Sequence, residues 1–330
     1  MTPAIFISRS IGRRRILSKF LRLGYSVAFT ALAMAICPSQ VLGAQTMSDE
    51  IIDDYKLVKH MATGQASQVW EVVEIGSNRH LAMKLLLPER LGDTDNYNFL
   101  VHEAEVGLKL AHPNVIRIFK LNRRKDNPYF VMEFFPAGSV RLRLQRKDAQ
   151  FFEEKTLDVL KQTATGMAFM NAQGYVHRDL KPDNILVNAS GEVKIIDFAL
   201  AYQQPSFFSR LFSGKGKPQG TRSYMSPEQI RCEFLDGRAD IYSFGCMAFE
   251  LTTGRTPFRG TTANEILSKH LKEKPISPKQ LNPRISKPFG DFVLRMIAKK
   301  KEERPKDFHE VLMGLKNMKI MESDAPEKKS

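Results

Sequence analysis

Eight consecutive residues, His177-Arg178-Asp179-Leu180-Lys181-Pro182-Asp183-Asn184, gather two carboxylates, two cations, an imidazole and a side-chain amide. Another carboxylate follows at Asp197, and an isolated lysine, Lys84, stands upstream in the apolar run Leu81–Leu87. Carboxylate and amide oxygens suit a hard cation such as Mg²⁺, and a lysine suits a phosphate-like anion. Transfer of a charged group needs positioning and charge neutralisation more than covalent help, so the set fits that chemistry. Each member alone has a plainer reading. A single histidine here would be a satisfied core residue, and a lysine in a strand usually sits on the surface.

Elements that could position these residues follow from the apolar spacing. Short β-type runs at Tyr55–His60, Val69–Val73 and Leu81–Leu87, split by Thr63-Gly64-Gln65 and Gly76-Ser77-Asn78, predict a small antiparallel sheet. Asn98–Ala111 has helical spacing and stops at His112-Pro113-Asn114, after which Val115–Phe119 and Tyr129–Phe134 read as strands, giving five strands and one helix. Beyond Gly138 the pattern turns helical. Leu157, Leu160, Ala164, Met167 and Ala168 form one stripe, and further helices are expected over Arg238–Thr252, Ala263–Lys272, Pro288–Lys299 and Lys306–Lys316. The octet lies between the long helix and two short strands, Ile185–Val187 and Val193–Ile196, joined by an Asn-Ala-Ser-Gly turn.

In this setting the octet resembles, at every position, the catalytic loop of eukaryotic-like (Hanks-type) serine/threonine protein kinases. The likeness covers about residues 55–317, with motifs in the family's order. It implies an α+β, two-lobed protein-kinase fold: a small antiparallel β-sheet N-lobe with one main helix (55–135) and a larger, mostly α-helical C-lobe (136–317), then a frayed charged tail (318–330). It also implies transfer of the γ-phosphoryl group of ATP, with Mg²⁺, to Ser/Thr hydroxyls of proteins. In that reading Asp179 aims the incoming hydroxyl and takes its proton late, while Lys181 steadies the γ-phosphate and marks the serine/threonine class. Asn184, with Asp197 of Asp197-Phe198-Ala199, would hold magnesium, two ions being the family expectation. Lys84 of Leu81-Ala82-Met83-Lys84 would grip the α- and β-phosphates, paired with Glu103 or, as second candidate, Glu105.

The resemblance places adenine at Val131-Met132-Glu133-Phe134-Phe135, with Met132 as gatekeeper and the Glu133 carbonyl and Phe135 amide facing the base. Val69, Ala82 and Leu186 would sandwich the ring, and Met61, Ala62 and Gly64 would cover the nucleotide. Downstream, Gly220-Thr221-Arg222-Ser223-Tyr224-Met225-Ser226-Pro227-Glu228 is similar to the end of an activation segment, in which Thr221 shapes the substrate pocket and Glu228 pairs with Arg304. Asp240 would brace the catalytic loop, and His177 would pack structurally. Arg178, beside the catalytic aspartate, implies control by phosphorylation, with Ser206, Ser209, Ser213 and Ser223 as candidate sites.

Departures from the family pattern sit mostly around the nucleotide. Only the middle glycine of the glycine-rich loop survives in Ala62-Thr63-Gly64-Gln65-Ala66-Ser67, which predicts a weaker nucleotide grip or a stiffer lid. Ala199 replaces a glycine and should hinder flipping of its segment. Gly107 stands where relatives carry a bulky apolar side chain against Phe198, which predicts a gap that an activating partner could fill. A pseudokinase scaffold with weak nucleotide binding is the alternative reading. Against it, Lys84, Glu103, Asp179, Asn184 and Asp197 are all present.

The 330 residues are 42% hydrophobic and 26% charged, enough for two modest lobes. Three scattered cysteines, Cys37, Cys232 and Cys246, make neither a disulfide framework nor a zinc site and fit a reducing compartment. Residues 1–46 hold six of the Lys and Arg residues and no acid, so of the formal +14 the rest of the chain carries +8. That excess is spread without aromatic interleaving, which argues against specific nucleic-acid binding and leaves an acidic partner surface open. Arg13–Arg22, the apolar stretch Leu23–Cys37 and Val41-Leu42-Gly43-Ala44 resemble a secretory signal or marginal membrane anchor. The other reading starts the protein at Met47. A cytoplasmic kinase is expected, membrane-associated only if residues 1–46 are retained as an anchor.

Overall fold

Alternate side chains of a strand point to opposite faces, and in the first half of the chain that alternation separates a core from a site. The structure, a computed structural model, describes residues 50–204 and 218–322, all within one compact unit, Thr46–Ser330. The leader-like segment 1–46 and the candidate sites Ser206, Ser209 and Ser213 lie outside the described residues.

Six antiparallel strands form the N-lobe sheet in the order β1-β2-β3-β4-β6-β5, with a helix crossing over between β4 and β5. They are β1 (Ile51–Ile52), β2 (Tyr55–Thr63), β3 (Ser67–Glu74), β4 (His80–Leu86), α1 (Thr94–Gly107), β5 (Ile118–Asn122) and β6 (Tyr129–Glu133). Leu57, Val72, Leu81, Met83, Leu85, Tyr129 and Val131 close one face into a small apolar cluster. The intervening residues of β4, Ala82 and Lys84, must therefore point the other way; Lys84 pairs in register with Val69 and Phe130, and Ala82 with Met132.

Helix α1 starts four residues earlier than the apolar spacing predicts, because the side chain of Asp93 caps it by accepting from Asp95 N and Asn96 N at 2.9 and 3.1 Å. It also ends earlier, at Gly107. The strand expected at Val115–Phe119 begins only at Ile118, since the preceding residues pair elsewhere: Ile116 N donates to Ile195 O at 2.9 Å and Ile195 N to Asn114 O at 2.8 Å. The two-residue β1, which carries no periodicity, makes the sixth strand.

The C-lobe follows through β7 (Gly138–Ser139), α2 (Val140–Gln145), α3 (Ala149–Ala172), β8 (Tyr175–Val176), β9 (Ile185–Val187), β10 (Val193–Ile195), β11 (Tyr202–Gln203) and α4 (Pro227–Ile230). Next come α5 (Gly237–Thr253), α6 (Ala263–Lys272), α7 (Pro278–Leu281), α8 (Lys287–Met296) and α9 (Phe308–Leu315). Every residue of α5 from Ala239 to Thr252 is buried, which makes it the central helix of the lobe. Asp236 caps its start, and Gly254, at φ 74°, ends it in the left-handed conformation that glycine adopts without strain. On α3, Leu160, Ala164 and Met167 of the expected stripe are buried, joined by Val159, Thr163 and Met170.

The tail expected to fray from residue 318 is docked as far as Glu322. Ile320 is buried in the core, Ser286 N donates to Ile320 O at 2.8 Å, and Glu322 N donates to Arg284 O at 2.8 Å.

Candidate active site

Between the two lobes lies a cavity of about 360 Å³, within the size range of small-molecule sites. Its apolar part includes Val69, Ala82, Phe135 and Leu186, and its polar end includes Lys84, Glu103, Asn184 and Asp197. Met61, Ala62, Met132 and Glu133 also face it. Gly64 does not line the cavity: it sits in the β2–β3 turn, where its N–H donates to Ser67 O at 2.7 Å. Sequence reading missed Ile116, Ile118, Phe130 and Leu142 in the lining. For Phe130 a signal existed, since it alternates with Val131 along β6 and so shares the face of Met132.

Lys84 Nζ donates to both oxygens of Glu103, at 2.9 and 2.6 Å. Glu105 turns outward to Arg123 at 2.7 Å, so the helix offers Lys84 one partner. Burial raises Glu103 to about 7 against the pull of Lys84. For Lys84 burial acts against the charge, but Glu103 and Asp197 outweigh it and hold the ammonium above its ordinary value. Asp197 is likewise buried, yet Lys84 and His177 keep it below the ordinary carboxylate value, ionised at neutral pH. His102 ties α1 to the segment after Phe198 through a 2.5 Å contact between its Nε2 and Ala201 O.

The expected gap beside Gly107 does not form. A Cβ on Gly107 would stand 2.3 Å from Cδ1 of Ile118 and 3.2 Å from Cδ2 of Phe198, so Ile118 occupies that space and Phe198 is fully buried.

The loop carrying Asp179 is fixed from beneath by Asp240, which accepts from His177 N and Arg178 N, both at 2.9 Å, and from Asn171 Nδ2 at 3.3 Å. His177 is buried against Phe198, ring to ring at 6.1 Å. Asp179 accepts at Oδ1 from the N–H and hydroxyl of Thr221, each at 2.8 Å, and at Oδ2 from Lys181 Nζ at 2.6 Å and Asn184 Nδ2 at 3.3 Å. Lys181 also donates to the Thr221 hydroxyl at 2.7 Å. Thr221 is thus bound directly to the catalytic-loop carboxylate.

Gly220, at φ 120°, allows this approach: a Cβ there would stand 2.7 Å from Gln229 Nε2 and 2.8 Å from Arg178 O. Gln229 Nε2 itself bridges Arg178 O and Gln219 O, at 2.8 and 2.5 Å. Arg178 Nη2 donates to Gln219 Oε1 at 3.0 Å and its guanidinium lies over Tyr202, 5.4 Å from the ring centre, while its buried Nε has no partner among the described residues.

Glu228 and Arg304 form a buried bidentate pair at 2.7 and 2.9 Å. Two further ion pairs carry no sequence periodicity. Lys194 on β10, nearly buried, pairs with Glu133 at 2.6 Å. Arg141 on α2 joins Asp183 and Glu250.

A hard cation fits the polar end. Asn184 uses both its described bonds as a donor, to Asp179 O and Oδ2, which leaves its amide oxygen as an acceptor, and Asp197 is ionised. Among the described residues no cluster of three His, Cys, Asp or Glu exists to cage a metal. Two protein oxygens completed by a ligand's own oxygens match the way Mg²⁺ is held with phosphates. Among the described residues no helix is long and apolar enough to cross a membrane.

Comparison with known proteins bears on the same region. The family described as protein kinase domain matches residues 55–314. The chain is 31% identical over 265 residues to a probable serine/threonine-protein kinase of Clostridium acetobutylicum, covering 80% of this chain and 40% of that protein. It is 29% identical over 263 residues to serine/threonine-protein kinase PknB of Mycobacterium leprae, covering 78% and 42%. A probable serine/threonine-protein kinase of Clostridium perfringens is 29% identical over 265 residues, covering 80% and 38%. The chain therefore spans about two fifths of the length of these relatives.

Proposed function

The chain belongs to the protein kinase family, and from that premise we propose that it transfers the γ-phosphoryl group of ATP to serine and threonine hydroxyls of proteins. The observation that carries this reading is the convergence of Lys84, Glu103, Asp179, Asn184 and Asp197 on one cleft, with Lys84 within 2.9 Å of both Glu103 oxygens.

Adenine would lie between Val69, Ala82 and Leu186, with its polar edge toward the backbone of Glu133 and Phe135. Lys84, positioned by Glu103, would bind the α- and β-phosphates. Asn184 and Asp197 would hold magnesium, which would supply charge neutralisation on the phosphates. At the other end Asp179 would accept a hydrogen bond from the incoming hydroxyl, aim its oxygen at the γ-phosphorus and receive its proton as the new P–O bond forms and the bridging P–O bond to the β-phosphate breaks. Lys181, 2.6 Å from Asp179, would offset the charge on the moving phosphoryl group.

The partnerless Nε of Arg178 supports a regulatory reading, in which a phosphate on the activation segment supplies the missing acceptor. Need for ATP and the scattered cysteines favour the cytoplasm.

The test is label transfer from γ-labelled ATP with Mg²⁺ by the full chain, to itself and to a generic protein acceptor, beside Asp179→Asn. Label on Ser or Thr that falls by about 10²- to 10⁴-fold in the variant supports the reading. A folded protein that binds nucleotide but labels nothing overturns it.

A further inference from the structure

The acceptor end of the cleft, as the kinase reading defines it, centres on Asp179 and Thr221. Two other carboxylates belong to this neighbourhood: Asp183, one residue before Asn184, and Glu250 on α5. Neither is open to an incoming cation. Arg141 donates Nε to Asp183 at 3.1 Å and Nη1 to Glu250 at 2.7 Å, and Tyr224 donates its hydroxyl to Glu250 at 2.5 Å. The side chains of Arg141 and Glu250 are only 24% and 8% exposed, so salt and substrate compete poorly for them. Burial acts against the charge of Arg141, but Glu250, Tyr224 and Asp183 outweigh it.

Directly after Thr221 stands Arg222, which opens the short turn Arg222–Tyr224. It is exposed and makes no hydrogen bond or ion pair with a described residue. Local charge therefore sums to a cation. Lys181 answers Asp179, Arg141 answers Asp183 and Glu250, and no carboxylate answers Arg222. Outside residues 1–46 the chain is also basic, at +8, which favours encounter with acidic partners.

We infer that the acceptor site selects Ser and Thr hydroxyls flanked by Asp or Glu, with Arg222 as the selecting cation and Arg141 as the residue that withholds Asp183 and Glu250 from basic peptides. A solvent-exposed charge pair is weak, so each flanking acid should improve kcat/KM by about two- to fivefold, through KM, and the gain should fade with salt.

The inference rests on the kinase reading, and the experiment separates the two. The full chain is given three peptides that share one serine and differ in flanking pairs of Glu, Ala or Arg. Expected is the order Glu, Ala, Arg in kcat/KM, with the spread shrinking at high salt. Arg222→Glu should reverse the Glu-to-Arg ratio, Arg222→Lys should preserve it, and Arg141→Met should raise relative use of the Arg peptide. Equal use of the three, a preference for Arg, or an order that survives Arg222→Glu overturns this inference. Transfer that reaches only the chain itself overturns it too, while no transfer to any acceptor overturns the kinase reading with it.

Discussion

The loop that carries Asp179 and the hairpin that carries Gly64 face one cleft and are built in opposite ways. In the loop, the backbone N–H groups of His177 and Arg178 end on one buried carboxylate, and Asp179 accepts four hydrogen bonds. In the hairpin, residues 61–65 are exposed, and the turn is held by Gly64 N to Ser67 O and by Leu87 N to Ala66 O at 2.9 Å. Departures from the family pattern follow that contrast. They fall in the hairpin, where a changed residue disturbs few partners, and beside Phe198, where Ile118 refills the space. The loop keeps the whole motif because each residue there satisfies a group that cannot reach water.

The contrast can be broken most sharply at Asp240. Asp240→Asn keeps the volume but turns one acceptor into a donor facing a backbone N–H, leaving a buried group unsatisfied. A loss of about 1–3 kcal/mol is expected in urea unfolding, with kcat reduced about a hundredfold or more in protein that is still folded, because misplacement by an ångström costs that much. Stability and kcat both close to the parent protein would mean that the loop is not held from beneath.

A smaller effect sharpens the comparison on the N-lobe side, where Lys84 and Glu103 link sheet to helix. Glu103 is raised from its ordinary 4.5 to about 7, so the folded protein keeps a proton that the unfolded chain loses between those values. The sign is then set: stability falls as pH rises from 4.5 to 7, whereas the ion pair, and activity with it, grows as pH rises through about 7. One pH unit below 7, kcat/KM for ATP should be down about tenfold. Glu103→Gln should abolish both slopes, and a parent profile flat from pH 6 to 8 would contradict the expectation.

Legibility in the sequence divided along the same line. Period-two spacing in β4 and the intact octet located Lys84, Asp179 and Asn184, because those signals are local and repeat within a few residues. Helix α1 was misplaced at its start because Thr94-Asp95-Asn96 carries no apolar period and is anchored by a side-chain cap. The gap beside Gly107 was inferred from one residue, whereas its filling comes from Ile118 on another element. Arg141 and Lys194 were invisible for the same reason: their carboxylate partners lie 109 and 61 positions away along the chain, brought near only by the fold.

The smallest expected effect tests the hairpin itself. Restoring glycine with Ala62→Gly and Ser67→Gly returns the backbone freedom that lets amides close on phosphates, but it also costs the unliganded strands about 0.5–1 kcal/mol per site. Because residues 62 and 67 lie at the ends of β2 and β3, beside an exposed turn, most of that cost falls on local fraying and not on the global fold. The double variant should therefore lower KM for ATP about two- to fivefold while leaving kcat and the urea midpoint nearly unchanged. An unchanged KM would mean that the two side chains do not limit the nucleotide grip. A large fall in the midpoint would mean that the hairpin is as tightly determined as the loop, and the contrast between the two regions would fail.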